Sequence, residues 1–267
     1  MNTRATKILS AALLLGFGWM AAPLAADELY LCEANAFPGK LLVSRDGRSV
    51  EGLYRRPPAA NPAYPHAVMK ASQITLDATG KIFFCSGLDK YVFHLMPGGH
   101  EIAVLETEGQ VRDVAGSDEE QIVYYSVLET PQSAAPLGDG VIYRRNLGEG
   151  RPHVIATVRQ ADIGGNWWGG FTVANGDVYL FTHEPNGRVF RWNGVSPQLI
   201  GTAHGFSISG LARTNDGQFL FTTDTSKVYR TRDFSSFDAV LTTDVPLRDV
   251  AVRPVAGALR PLPPPGL

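Results

Sequence analysis

The stretch Val111-Arg112-Asp113-Val114-Ala115 returns near the other end of the chain as Leu247-Arg248-Asp249-Val250-Ala251. Three more segments follow the same grammar in other letters: a short apolar strand, a polar turn, an aromatic-rich apolar strand. Ile74-Thr75-Leu76 leads through Asp77-Ala78-Thr79-Gly80 to Ile82-Phe83-Phe84-Cys85, and Phe171-Thr172-Val173 leads through Ala174-Asn175-Gly176-Asp177 to Val178-Tyr179-Leu180-Phe181. Leu211-Ala212-Arg213 leads in the same way through Thr214-Asn215-Asp216-Gly217 to Phe219-Leu220-Phe221. Aligned on Ile74, Val114, Phe171, Leu211 and Val250, the copies are spaced by 40, 57, 40 and 39 residues. A period of this size, built from short strands and Asn-Gly or Asp-Gly turns, signals four-stranded propeller blades, each of which needs neighbours to cover its faces. The expected fold is all-β, a five-bladed β-propeller with four antiparallel strands per blade.

The count of five follows from the two ends. Residues 28–54 supply three strands and no leading one, whereas 247–253 supply one strand with no followers. The termini therefore share the closing blade, which removes two exposed sheet edges. The complete blades are expected at about 73–106, 110–158, 169–202 and 209–243. Residues 56–65 and 128–140, rich in Pro, Ala, Ser or Gly, read as loops, as does 159–168. The propeller is assigned to 27–255. The proline-rich remainder, 256–267, is expected to be a disordered tail, because proline cannot join a ladder.

Residues 1–26 carry Arg4 and Lys7, an apolar run over 8–19 and the small pair Ala25-Ala26, the pattern of a signal peptide. The expected location is periplasmic or secreted. No later apolar run approaches the roughly 18 residues that a membrane span needs, and bulky Leu29-Tyr30-Leu31 argues against lipid attachment at Cys32. With 24 Lys and Arg against 26 Asp and Glu, the net charge of −2 offers no basic face for nucleic acid. Cys32 and Cys85 occupy equivalent places in two repeats. Equivalent strands of neighbouring blades stand about 10 Å apart, beyond disulfide reach, so free buried thiols are expected.

In a propeller the innermost strand of each blade starts at one face of the disc. Turns after first and third strands lie on the opposite face, and here they are short. The irregular segments all fall on the starting face: the loop with Tyr64 and His66, the 128–140 insertion, Trp167-Trp168, His183 and His204. Binding concentrates on such loop-rich rims. Arg112, Asp113, Arg248 and Asp249 begin inner strands, so their side chains should rim or enter the central channel from that face. Their counterparts Ser72-Gln73, Gly169-Gly170 and Ser209-Gly210 are small or polar and leave room there. Two readings stay open for the Arg and Asp pairs: ion pairs that hold the blades together, or hydrogen bonds to an anionic or carbohydrate ligand.

Of Trp167 and Trp168, one can pack inward while the other stacks on a sugar or a partner. Tyr64 stands between Pro62 and Pro65, either a loop anchor or a contact residue. His66, His183 and His204 lack metal-ligand spacing, so no metal site is expected. Gly164-Gly165 and Gly169-Gly170 read as turn glycines. No Gly-x-Ser-x-Gly elbow, phosphate-cradling glycine loop or His-Glu-x-x-His sequence occurs.

The turns Asp-Ala-Thr-Gly, Ala-Asn-Gly-Asp and Thr-Asn-Asp-Gly between inner strands resemble those of exported bacterial propellers of the NHL and gluconolactonase-like kind. For the gluconolactonase type, the resemblance implies a divalent metal held in the channel by Glu, Asn and Asp, of which this chain matches Asp113 and Asp249 alone. The leading expectation is a non-catalytic module without a cofactor that binds a protein or glycan in the cell envelope or outside the cell. Its site residues would be Tyr64, His66, Arg112, Asp113, Trp167, Trp168, His183, His204, Arg248 and Asp249. The alternative is a hydrolase or lyase acting on sugars or lactones, with Asp113 and Asp249 as its carboxylates and a divalent metal as cofactor. The adjacent arginines are expected to lower both acids' pKa values and so to disfavour proton donation.

Overall fold

A computed structural model describes residues 28–57, 70–117, 122–128, 139–148, 150–164 and 168–253. The first three strands are β1 (Leu29–Glu33), β2 (Lys40–Ser44) and β3 (Glu51–Arg55). The first whole blade follows as β4 (Gln73–Leu76), β5 (Ile82–Cys85), β6 (Tyr91–Met96) and β7 (His100–Glu106). The second is β8 (Val111–Gly116), β9 (Ile122–Leu128), β10 (Gly140–Asn146) and β11 (His153–Val158). A single helical turn, α1 (Gln160–Ile163), leads into β12 (Trp168–Ala174), β13 (Asp177–Thr182), β14 (Gly187–Trp192) and β15 (Pro197–Ala203). The fourth blade is β16 (Gly210–Arg213), β17 (Phe219–Thr222), β18 (Lys227–Thr231) and β19 (Asp238–Thr242), after which comes β20 (Leu247–Val252).

These strands form five four-stranded antiparallel sheets, and the closing sheet has the order β20-β1-β2-β3. The chain is a five-bladed β-propeller closed by strands from its two ends. Tyr30 pairs with Ala251 and Leu29 with Val252, so the strand around Arg248 lies beside the strand at Tyr30 as the shared closing blade implied. The inner strands neighbour one another in the order β4, β8, β12, β16, β20 and back to β4.

Both faces of each blade are apolar because each is buried against a different neighbour. Successive residues of one strand point to opposite faces, so Tyr30 and Cys32 pack towards the first blade whereas Leu29 and Leu31 pack towards the fourth. Val178 and Leu180 face the second blade, and Tyr179 and Phe181 face the fourth. Five hydrophobic clusters result, one at each junction between blades. This explains why the second strands read as unbroken apolar runs instead of alternating.

One junction also holds a buried charge. Arg56 and Glu101 pair at 2.6 Å, Arg56 donates to the carbonyl of Lys70 at 2.7 Å, and its guanidinium lies 4.4 Å from the Phe93 ring centroid. This pair links the closing blade to the first.

The segment 159–168 departs from the expected loop at both ends, since it contains α1 and the first residue of β12. Gly169 and Gly170 are not turn glycines. They lie inside inner strand β12, where a Cβ on Gly169 would stand 2.5 Å from the Phe181 ring. Cys32 and Cys85 are buried and unbridged. Residues 1–26, Tyr64, His66, Trp167 and the tail 256–267 lie outside the described residues, as do positions 129–138 of the long insertion.

Candidate functional site on the channel rim

The start of three inner strands is irregular in the same way. In the second blade Val111 pairs with Val127 and Asp113 with Ser126, leaving Arg112 as an extra residue. In the closing blade Leu247 pairs with Glu33 and Asp249 with Cys32, leaving Arg248 over. Gly169 is the extra residue in the third blade. A bulge of this kind turns a side chain out of the strict alternation. It frees the arginine of each Arg-Asp pair for the rim while the aspartate keeps its place in the ladder.

The two aspartates reach the next blade. Asp113 Oδ2 accepts the backbone N–H of Phe171 at 2.7 Å, and its Oδ1 accepts that of Val114 at 2.8 Å. Asp249 Oδ2 accepts the N–H of Ile74 at 2.8 Å, and the carboxylate also accepts from Val250. Each aspartate therefore ties its own inner strand to the following one. The small residues opposite make this possible: a Cβ on Gly170 would lie 2.1 Å from Asp113 Oδ2, and one on Gly210 would lie 2.1 Å from Asp249 Oδ1. The room expected at Gly169-Gly170 and Ser209-Gly210 is thus taken by protein carboxylates, because the inner strands pack too closely to leave it for a ligand.

The acidity of these groups corrects a second expectation. Burial pushes Asp113 up to about 7 and outweighs its hydrogen bonds and the adjacent Arg112. Asp249 is raised for the same reason, with the negative Asp113 nearby as a further cause. Desolvation of a carboxylate is larger here than the attraction of a neighbouring arginine.

The arginines have different surroundings. Arg248 pairs with Asp224 Oδ2 at 2.7 Å. Asp224 sits at φ 54° in the turn after β17 and also faces His183 Nε2 at 3.5 Å. His183 Nδ1 is 2.8 Å from the carbonyl of Ile208, and burial lowers the imidazole pKa. Arg112 is buried, its Nε lacks a hydrogen-bond partner, and none of the described ion pairs includes it. Burial and the like charge of Arg248 bring it down to about 10, so it stays protonated near neutrality. Both arginines line a cavity of about 150 Å³ that opens between the closing and first blades.

The channel proper is narrow. A cavity of about 60 Å³ lies among the inner strands towards the opposite end, and Gly116 packs so tightly on β4 that a Cβ there would lie 1.7 Å from the carbonyl oxygen of Leu76. The face of short turns carries a wider, shallow cleft of about 830 Å³ beside Leu53, Ile82 and Met96, with Lys81 and His94 its titratable groups.

Of the expected site residues, the structure gathers Arg112, Arg248 and His183 at the rim and sets Asp113 and Asp249 between the blades. His204 is apart and exposed, in the turn after outer strand β15. Trp168 opens β12 on the same face, and Gln160 at the start of α1 donates its N–H to Asp139 at 3.1 Å. Asp139, near the end of the 128–140 insertion, and Gln160, at the start of α1, are therefore held together. Asp224 was missed: only its place in the turn Asp224-Thr225-Ser226 hints at a left-handed backbone.

The divalent metal implied by the gluconolactonase-like resemblance does not fit these residues. Asp113 and Asp249 accept backbone N–H groups at positions where a cation would have to displace them, and two arginines stand beside them. No group of three or more His, Cys, Asp or Glu suited to a metal occurs among the described residues.

No protein-family model matches the chain, and no curated protein matches it in sequence. Solved structures are similar to it in fold. A chain of a nidogen/laminin complex aligns with TM-score 0.56 at 8% identity, covering 85% of this chain and 98% of that one. A gluconolactonase of Xanthomonas campestris aligns with TM-score 0.50 at 12% identity, covering 84% and 80%. At such identities the likeness is one of fold, a β-propeller, and that fold hosts many unrelated functions.

Proposed function

We propose that this chain is an exported, non-catalytic binding module that recognises a protein or glycan through the rim bearing Arg112, Arg248, Trp168 and the 128–140 insertion. One observation carries the reading: the carboxylates at the channel are engaged. Asp113 and Asp249 hold the next blade's backbone, and Asp224 holds Arg248. Hydrolysis of a sugar or a lactone needs an acidic group free to take or give a proton at the substrate, whereas recognition needs the donors and loops that this rim presents. No membrane-spanning helix is found among the described residues.

The test is partner capture from envelope and extracellular fractions, and on arrays of glycans, using the mature chain. Deletion of 129–138 or the substitution Trp168→Ala should abolish capture while leaving the melting temperature within about 2 °C of wild type. Capture that survives both changes refutes the assignment to this face. Sugar or lactone turnover that is lost in Asp113→Asn but retained in the deletion variant refutes the non-catalytic reading.

A further inference from the structure

The cavity between the closing and first blades has an unbalanced chemistry. Its one described acid, Glu33, is held by Lys40 at 2.9 Å. Arg248 is matched by Asp224. Arg112 is in none of the ion pairs among the described residues, although it is 5% exposed and its Nε is buried without a hydrogen-bond partner. The negative groups acting on it include Asp113 and Asp224, of which Asp113 holds the next blade's backbone and Asp224 holds Arg248. Buried charges in folded proteins are paired or neutralised. Arginine keeps its proton near neutrality, so an anion entering the cavity would meet a charge that no described side chain pairs.

The neutral groups point the same way. Ser86 lines the cavity and is 1% exposed, and its Oγ already accepts the N–H groups of Leu88 and Asp89 at 3.0 and 3.1 Å. That leaves its O–H to donate. Lys70, in none of the described ion pairs, lines the same cavity. The walls thus offer donors and ask for acceptors. About 150 Å³ is the volume of roughly five waters, enough for one carboxylate and the few atoms attached to it.

We propose that this cavity is a carboxylate-binding site, with Arg112 gripping both oxygens of the ligand and Arg248 and Ser86 completing the contact. A planar guanidinium matches a planar carboxylate through two parallel N–H···O bonds. The carboxylate belongs either to a small free organic acid or to the uronate of an acidic saccharide. The inference specifies the ligand of the face described above and rests on that reading.

Calorimetric titration of the mature protein at fixed ionic strength with pyruvate, glucuronate, inorganic phosphate and chloride tests it. Pyruvate or glucuronate should bind, with tighter glucuronate identifying a saccharide ligand and tighter pyruvate a free acid. Arg112→Met should weaken carboxylate binding by roughly tenfold to a hundredfold, the value of a lost charge-assisted pair. Arg112→Met should also melt no lower than wild type without ligand, because it replaces an unmatched buried cation by an apolar chain. Arg191→Ala removes the same charge from an exposed pair with Asp177 and should leave binding unchanged. Three results overturn the proposal: carboxylates that bind no better than chloride, equal carboxylate affinity in wild type and Arg112→Met, or binding of phosphate alone. These titrations need no partner, so their failure is distinct from a failure of partner capture.

Discussion

Replacing Asp249 by alanine separates a structural carboxylate from a catalytic one. The side chain accepts the N–H of Ile74, 2.8 Å away in the first blade, and that of Val250 in its own strand. Truncation leaves two buried donors with no acceptor, each costing about 1–3 kcal/mol. Relief of the desolvated carboxylate offsets part of this, so a net loss of about 3 kcal/mol is expected. For a domain of this size 1 kcal/mol moves the melting temperature by roughly 2–4 °C, which makes the expected drop roughly 6–12 °C. Asp249→Asn keeps one carbonyl acceptor but turns an amide donor towards the other N–H, and about half the loss should remain. Differential scanning calorimetry on wild type and both variants, paired with the carboxylate titration, measures stability and binding separately. A melting temperature unchanged within about 1 °C in Asp249→Ala would refute the inter-blade role.

The buried acids also set a pH dependence. Asp113 titrates at about 7 in the folded chain and Asp249 is raised as well, whereas both titrate near 3.9 when unfolded. The folded state therefore binds more protons between these values, and the stability they contribute is full below about pH 4 and lost as pH rises through about 7. His183, lowered by burial, acts in the opposite sense, its stability present above its unfolded value and lost as pH falls through its folded one. Melting curves at pH 5 and pH 8 should therefore differ less in Asp113→Asn/Asp249→Asn than in wild type; an unchanged difference would show that these acids do not carry it. Arg56→Ala breaks the buried pair with Glu101 and should cost about 3–5 kcal/mol in urea denaturation. A loss below about 1 kcal/mol would show that Glu101 is solvated, not buried.

The architecture was legible because the repeats carry their own punctuation. Asn175-Gly176 and Asp216-Gly217 mark turns between inner and second strands, and three strands at one end with a single one at the other specified the shared blade. The bulges were not legible, since an extra residue shows only against the partner strand to which it has no counterpart. For the same reason the Arg-Asp motif announced rim residues without revealing their division of labour. The partners of Asp113 and Asp249 are backbone N–H groups of strands 58 and 175 residues away, and such groups have no sequence identity. Arg56 gave no signal beyond its place before two prolines, although burial and the ring of Phe93 make it central to one junction.

The meeting of the first and last described residues has a topological consequence. The Arg253 N–H donates to the Glu28 carbonyl at 3.3 Å, and the two side chains pair at the same distance. A covalent bridge of a few residues between these points would make the backbone an endless loop. Fresh ends cut at an exposed turn such as Asn193-Gly194 would then give a permuted polypeptide with every strand pairing intact, so the order in which the blades are synthesised is separable from the order in which they sit.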